Sequence, residues 1–177
     1  TYINGVLAGD GADDNGHGSH VTGTMAGKWG GAAGGVAGVA GNADVVECKF
    51  LGPTGSGYTS DAVLCIKHVA SKNAHYVINN SWSGGGYSTA LHQAIRDYVC
   101  ARNGLFVSAA GNSTADLAAG GGAFPAYYAT YAGGECVLPV AAADSANVLA
   151  SFSNYGPAVP IAAPAGGNAG GCGGLAC

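Results

Sequence analysis

The sequence predicts an α/β domain, a three-layer αβα sandwich built on a mainly parallel sheet. Three observations carry that expectation. Apolar runs with strand character alternate with amphipathic helical stretches at intervals of about thirty residues, the spacing of βαβ units. Hydrophobic residues make up 48% of the 177 residues and charged residues only 9%, which supports a sizeable core and is the reverse of a disordered composition. Glycine is abundant, at 33 residues, and many apolar positions are Ala or Val, as suits closely packed elements.

The elements follow in chain order. DDNGHGSHVTGTMAG (13–27) places His17 and His20 three residues apart at the head of a run with helical spacing. DVVECKFL (44–51) reads as a strand. SDAVLCIKHVASK (60–72) reads as a helix that Thr59 or Ser60 caps, with Val63, Ile66, Val69 and Ala70 on one face. HYVINNS (75–81) is the second strand. STALHQAIRDYVCARNG (88–104) is the second helix, with a stripe of Leu91, Ala94, Ile95, Tyr98 and Val99 and a stop at Gly104. LFVSAAG (105–111) is the third strand. CVLPVAAA (136–143) is the fourth, and its Pro139 predicts an irregularity or an edge position. The glycine clusters at 30–41, 120–122 and 166–174 read as loops without a repeat period. Residues 1–164 are taken as one domain and 165–177 as a Gly- and Cys-rich tail. Parallel strands joined by helices are covered on both faces and place their sites at the strands' carboxyl ends. That singles out NNSWSGGG after the second strand and AAGNS after the third.

A net charge of −4 argues against a nucleic-acid surface, and no apolar run reaches membrane-spanning length. The sequence opens at Thr1 without Met or a signal peptide, which predicts a processed product or a fragment. Its six cysteines allow up to three disulfides, a number that points to secretion. The alternative is buried free thiols, and Cys48 and Cys65, inside apolar stretches, suit it. Cys172 and Cys177 in the tail read as a bridge or as unformed chain.

Three separated segments fall into one pattern. NGHGSHVTGTMAG starts a helix with His17 in its first turn, AAGNS puts the carboxamide of Asn112 at a strand end, and SFSNYGP (151–157) follows the fourth strand and AAADS. The sequence resembles the subtilisin-like serine proteases, most closely their proteinase K branch. GSGYTSDAV, SGGGYST and SFSNYG look like that branch's segments, in the right order, and the resemblance runs from about residue 13 to about residue 164. It implies a subtilisin-like fold and a serine endopeptidase, secreted or vacuolar.

By the resemblance, His17 is the general base, taking the proton of the attacking serine and returning it to the leaving amine. An imidazole suits this because its ordinary pKa is about 6.5. Gly16 and Gly18 keep bulk away from the ring, and Asn112 supplies the oxyanion donor. Gly55, Ser56 and Gly57 match the edge that pairs with an extended peptide. Ser81, Trp82, Ser83 and Gly84 form the other edge and one wall of the primary specificity pocket, Ala109, Ala110 and Gly111 the opposite wall, and Phe124 and Pro125 the far end. SWSGGG departs from the family's SLGGG by carrying Trp82 and one extra residue. Small walls imply broad apolar specificity. The implied partners are polypeptide substrates, with no nucleic acid and no membrane, and the complete protein is expected to be a monomer without a cofactor. The branch's structural calcium would use the loop around 133–135 and an acid near position 160. Pro160 stands there, so neither calcium nor any other metal site is carried over.

The family's nucleophilic serine belongs to a GTSMA segment downstream of AAP (162–164), and its triad aspartate to a DTG or DSG segment upstream of the histidine motif. Neither segment is present in the 177 residues. Ser19 and Ser113 are near the right motifs but not in the nucleophile's place. The chain is therefore expected to be a catalytic domain truncated at both ends, inactive alone, and marginally stable or insoluble because a sheet edge is exposed. Two rival readings remain. A non-catalytic pseudoprotease would keep the peptide cleft of 55–57 and 81–84 and need neither His17 nor Asn112. A metal-dependent hydrolase would use His17, His20 and Asp14. Helical zinc pairs usually lie four apart with a Glu between them, and here the spacing is three without the Glu. His20 is accordingly read as scaffolding bonded one turn along the helix. Asp13 and Asp14 are read as a solvated loop, with calcium as their other option.

Overall fold

The computed structural model describes residues 2–3, 6–7, 9, 11–30, 36–72, 76–120 and 122–165. The chain divides into two compact units, Thr1–Cys65 and Ile66–Cys177.

In the first unit, strands β1 (Tyr2–Ile3) and β2 (Val6–Leu7) pair antiparallel. Helix α1 (His17–Ala26) follows. It is rich in small and polar residues and has no buried side chain, so its stability comes from its ends. The last carbonyls of a helix lack intrahelical partners. Here the Gly27 N–H closes on Gly23 O at 2.9 Å, and the N–H groups of Val39 and Ala40 bond Thr24 O at 3.2 Å and Met25 O at 2.9 Å.

The strand expected at 44–51 is not formed: no β-ladder includes these residues among those described. The apolar pattern is there, but a strand exists only where a neighbour completes its hydrogen bonds, and Val45 and Val46 lie exposed. Cys48 and Cys65 are not free thiols either. They form a disulfide that closes a 17-residue separation. Helix α2 (Thr59–Lys72) starts one residue earlier than the sequence predicted. Neither Thr59 nor Ser60 is its cap: both sit in the first turn, and Tyr58 O accepts the N–H groups of Asp61 (3.0 Å) and Ala62 (3.3 Å). Val63, Ile66 and Ala70 are buried, as the apolar face requires, and Val69 is half-buried.

The second unit is organised by a four-stranded parallel sheet of β3 (Val77–Asn80), β4 (Leu105–Ala109), β5 (Val137–Ala143) and β6 (Ile161–Pro164), in that spatial order. Helix α3 (Thr89–Tyr98) joins β3 to β4. Ser88 caps it, its side chain accepting the Leu91 N–H at 3.3 Å. Leu91, Ala94, Ile95 and Val99 are buried and Tyr98 is half-buried, the stripe the periodicity predicts. The α-helix is shorter than 88–104. It gives way to a 3-10 turn at Cys100–Arg102, Asn103 takes a left-handed conformation (φ 54°), and the Gly104 N–H returns to Val99 O at 3.0 Å.

Pro139 lies on an interior strand without an irregularity, but at a position that β6 does not cover, so locally it faces an open edge. β5 lies between β4 and β6. Phe106 and Ala110 donate to Cys136 O and Val140 O, so even-numbered β5 residues face β4 and Pro139 faces the other way. The β6 register begins only at Val140, so the donor that proline lacks is not needed there. β6 itself was not anticipated. All four of its residues are exposed, and an edge strand without a buried face carries little apolar pattern. The second disulfide joins Cys100 to Cys136. His75, the heart of the loop at 30–41, Gly121 and the tail from 166 with Cys172 and Cys177 lie outside the described residues. No described helix is long and apolar enough to cross a membrane.

Candidate active site

His17 is the first residue of α1 and Gly16 its N-cap. Gly16 has φ 93°, and a Cβ there would meet nothing within 4 Å. It is required for its conformation, not to keep bulk from the imidazole as the sequence had implied. A glycine cap has no side chain to offer the orphan N–H groups, and Asp13 takes over that task. Its Oδ1 accepts from Asn15 N (3.0 Å) and Gly16 N (2.9 Å), and its Oδ2 from Ser19 N (2.8 Å). The Ser19 side chain, and then the backbone N–H groups of Asn15, Gly16 and Ser19, hold the Asp13 carboxyl far below the usual carboxylate range. Asp13 and Asp14 are therefore not merely a solvated loop. Asp13 is exposed yet fully engaged, and Asp14 is ion-paired with Lys49 Nζ, which also donates to Leu51 O at 2.8 Å.

The Nε2 of His17 is buried and has no hydrogen-bond partner among the described residues. His20 points to solvent; its N–H bonds Gly16 O at 3.1 Å and its carbonyl accepts Thr24 Oγ1 at 3.1 Å. In the same unit, Gly52 to Ser56 form a turn, with Gly52 N–H on Ser56 O and Gly55 N–H on Gly52 O, each at 2.9 Å. Gly55, Ser56 and Gly57 are exposed on it.

In the second unit, adjacent strands deliver two segments side by side. Asn80 and Ser108 are register partners, so Ser81–Gly84 leaves β3 beside Ala109–Gly111 at the carboxyl end of β4. Gly84 N–H bonds Phe124 O at 3.0 Å, which draws in the segment before Pro125. Gly111 has φ 108°, and a Cβ there would lie 2.4 Å from Asn154 Nδ2 and 2.7 Å from Ala123 Cβ. Asn112 follows it with an exposed side chain.

Two residues hold these segments, and sequence reasoning assigned neither a role. Asn154 is fully buried. Its Nδ2 donates to Ala110 O (2.9 Å), and its Oδ1 accepts from Ser113 N (2.9 Å) and Ala115 N (3.1 Å), so it fixes the backbone on both sides of Asn112. Asn80 donates to Val107 O (3.2 Å) across the β3–β4 seam and accepts from Trp82 Nε1 (3.2 Å). The signal was an asparagine inside each motif, SFSNYG and NNSWSGGG.

The loop at 133–135 and position 160 do not fit a calcium ion. Glu135 Oε1 turns back to accept the Gly133 N–H at 3.1 Å, and Pro160 has no carboxylate. No group of three or more His, Cys, Asp or Glu side chains is placed to hold an ion among the described residues.

The sequence model of the subtilase family matches residues 4–175. This chain belongs to the subtilase family. Subtilase relatives include an alkaline protease of Alkalihalobacillus alcalophilus, 39% identical over 86% of this chain and 36% of its own length. Subtilisin DY of Bacillus licheniformis is also 39% identical, over 86% of this chain and 52% of its own. A solved structure of a cold-adapted subtilisin-like serine proteinase superposes with a TM-score of 0.74 at 33% identity, covering 93% of this chain and 54% of that one. The fold is thus the subtilisin-like α/β sandwich with a mainly parallel sheet. The chain spans between about a third and a half of the length of these relatives.

Proposed function

We propose that this subtilase chain carries the general base, the oxyanion donor and the substrate edges of a secreted serine endopeptidase. The observation that carries the reading is His17, whose Nε2 is buried without a hydrogen-bond partner among the described residues at the head of α1, inside the family match. In this reading Gly55, Ser56 and Gly57 are an edge along which an extended peptide adds as a strand, and Ser81, Trp82, Ser83 and Gly84 are a second substrate-binding segment. A serine nucleophile, for which residues 1–177 contain no matching segment, passes its proton to His17 Nε2, and His17 returns it to the leaving amine. The Asn112 carboxamide bonds the oxygen on which charge develops. Loss of one such donor costs about 3–4 kcal/mol of transition-state stabilisation, a magnitude established on subtilisin itself. Ala109, Ala110 and Gly111 are small enough to leave room for a sizeable apolar side chain. The chemistry needs no cofactor, and the whole protein is read as a monomer. The two disulfides support an oxidising, extracellular setting.

The test is to sequence the transcript beyond both ends, express the encoded protein and label it with a fluorophosphonate. One labelled serine, with labelling lost in His17→Ala, is expected. No labelling, together with peptide binding indifferent to His17→Ala, would overturn the protease reading in favour of a pseudoprotease binding module.

A further inference from the structure

One side chain in the first unit touches two segments that the proposed function assigns to different tasks. Asn15 Oδ1 accepts the His17 N–H at 3.3 Å, and Asn15 Nδ2 donates to Pro53 O at 2.9 Å. Pro53 lies within the Gly52–Ser56 turn that leads into Gly57. The same Nδ2 is 3.8 Å from where a Cβ on Gly55 would stand. A carboxamide is the side chain for such a link, because it donates at one end and accepts at the other. A second strut runs parallel to it: Lys49 Nζ joins Asp14 to Leu51 O. The start of the helix that presents His17 is thus tied to the turn that presents Gly55–Gly57 through the Asn15 side chain, which bonds backbone atoms at both ends, and through the Asp14–Lys49 pair.

We propose that Asn15 is a positioning residue that couples occupancy of the Gly55–Gly57 edge to the first turn of α1, so that a peptide pairing with the edge also fixes His17. This rests on the reading of Gly55–Gly57 as a substrate edge. Asn15's bond to Pro53 O is exposed and competes with water in the free chain. A peptide strand laid on the turn orders the Pro53 carbonyl, and the ordered carbonyl holds Asn15 and through it the His17 backbone.

The test is amide hydrogen exchange on the 177-residue chain, with and without saturating acetyl-Ala-Ala-Ala-Phe-amide. In the unaltered chain the peptide slows exchange at Gly52, Gly55 and His17 by about threefold or more. Asn15→Asp keeps an acceptor for the His17 N–H but loses the donor to Pro53 O. There the slowing persists at Gly52 and Gly55 and disappears at His17. If it persists at His17, the coupling is wrong while the substrate edge stands. If the peptide leaves Gly52 and Gly55 of the unaltered chain untouched, the substrate-edge reading fails instead, and the free chains decide whether Asn15 ties the turn to the head of α1. Gly52 and Gly55 must then exchange faster in Asn15→Asp than in the unaltered chain, and equal rates overturn it. Asn15→Ala, which removes both bonds without adding charge, is read by the same criteria should Asn15→Asp lose its helical circular dichroism.

Discussion

Asp13 shows how one carboxylate can organise a site without touching a substrate. It satisfies three backbone N–H groups at the head of α1, where Gly16 has no side chain to do so. Its folded pKa is depressed, so its contribution is complete above the ordinary carboxylate value of 3.8 and fades only as pH falls through the lower folded value. The Asp13 carboxyl carbon, followed by NMR, should titrate with a midpoint well below 3.8; a midpoint at or above that value contradicts the capping role. Asn154 is the counterpart in the second unit. Asn154→Ala strands Ser113 N–H, Ala115 N–H and Ala110 O, and should cost about 3 kcal/mol in denaturant unfolding. If the proposed protease reading holds, Asn112→Ala in the active protein should lower kcat by about two to three orders of magnitude with little change in KM, since the bond is made to charge that develops only in the transition state. A loss confined to KM would place Asn112 outside the oxyanion hole.

At the scale of elements, the second unit relies on an aromatic cluster at the head of α3. The His92 ring stacks on Tyr128 with centroids 4.9 Å apart, and Tyr87 Oη lies 3.2 Å from His92 Nδ1. Tyr128 Oη donates to Ser88 O and accepts from Ser88 N–H, both at 3.0 Å, which seats the helix cap on the cluster. Burial, and then the nearby Arg96 charge, push the His92 pKa below its ordinary value of 6.5, with Glu135 opposing. The unfolded chain therefore binds the proton more tightly, and this part of the stability is present above about pH 6.5 and lost as pH falls through the folded pKa. Melting temperature should drop between about pH 7 and about pH 5, and His92→Gln should flatten that limb; an unchanged slope in the variant contradicts the assignment. The disulfides act at the same scale. By loop length, removing Cys100–Cys136 should cost about 4 kcal/mol and removing Cys48–Cys65 about 3 kcal/mol, and paired Cys→Ser variants in urea melts give that order directly.

At the scale of the whole molecule, the sheet of the second unit ends in two open edges among the described residues. Val77 on β3 is 67% exposed and Ile161 on β6 is 49% exposed. Unpaired apolar edges recruit further strands. The 177-residue chain should self-associate in sedimentation velocity at micromolar concentration, and Ile161→Lys should reduce it; a monomer insensitive to that change contradicts the edge mechanism.

The sequence by itself determined the parallel α/β class, α1 with His17 at its head, the α3 stripe and its Ser88 start, the strands around Ile78, Val107 and Val140, and the family. These rest on short-range periodicity and on motifs contiguous in the chain, which a linear reading contains in full. Tertiary structure alone decided that 44–51 forms no strand, that Cys48 meets Cys65, that the strand carrying Pro139 is an interior one, and that β6 exists. It also decided that Asp13 and Asn154 are the residues holding the site segments. Most of these depend on which distant groups complete a hydrogen bond, a ladder or a disulfide, and partners 17 to 44 residues apart leave no local periodicity to read. Asp13 bonds neighbours 2 to 6 residues away, but a cap set ahead of a glycine N-cap has no periodic signal either.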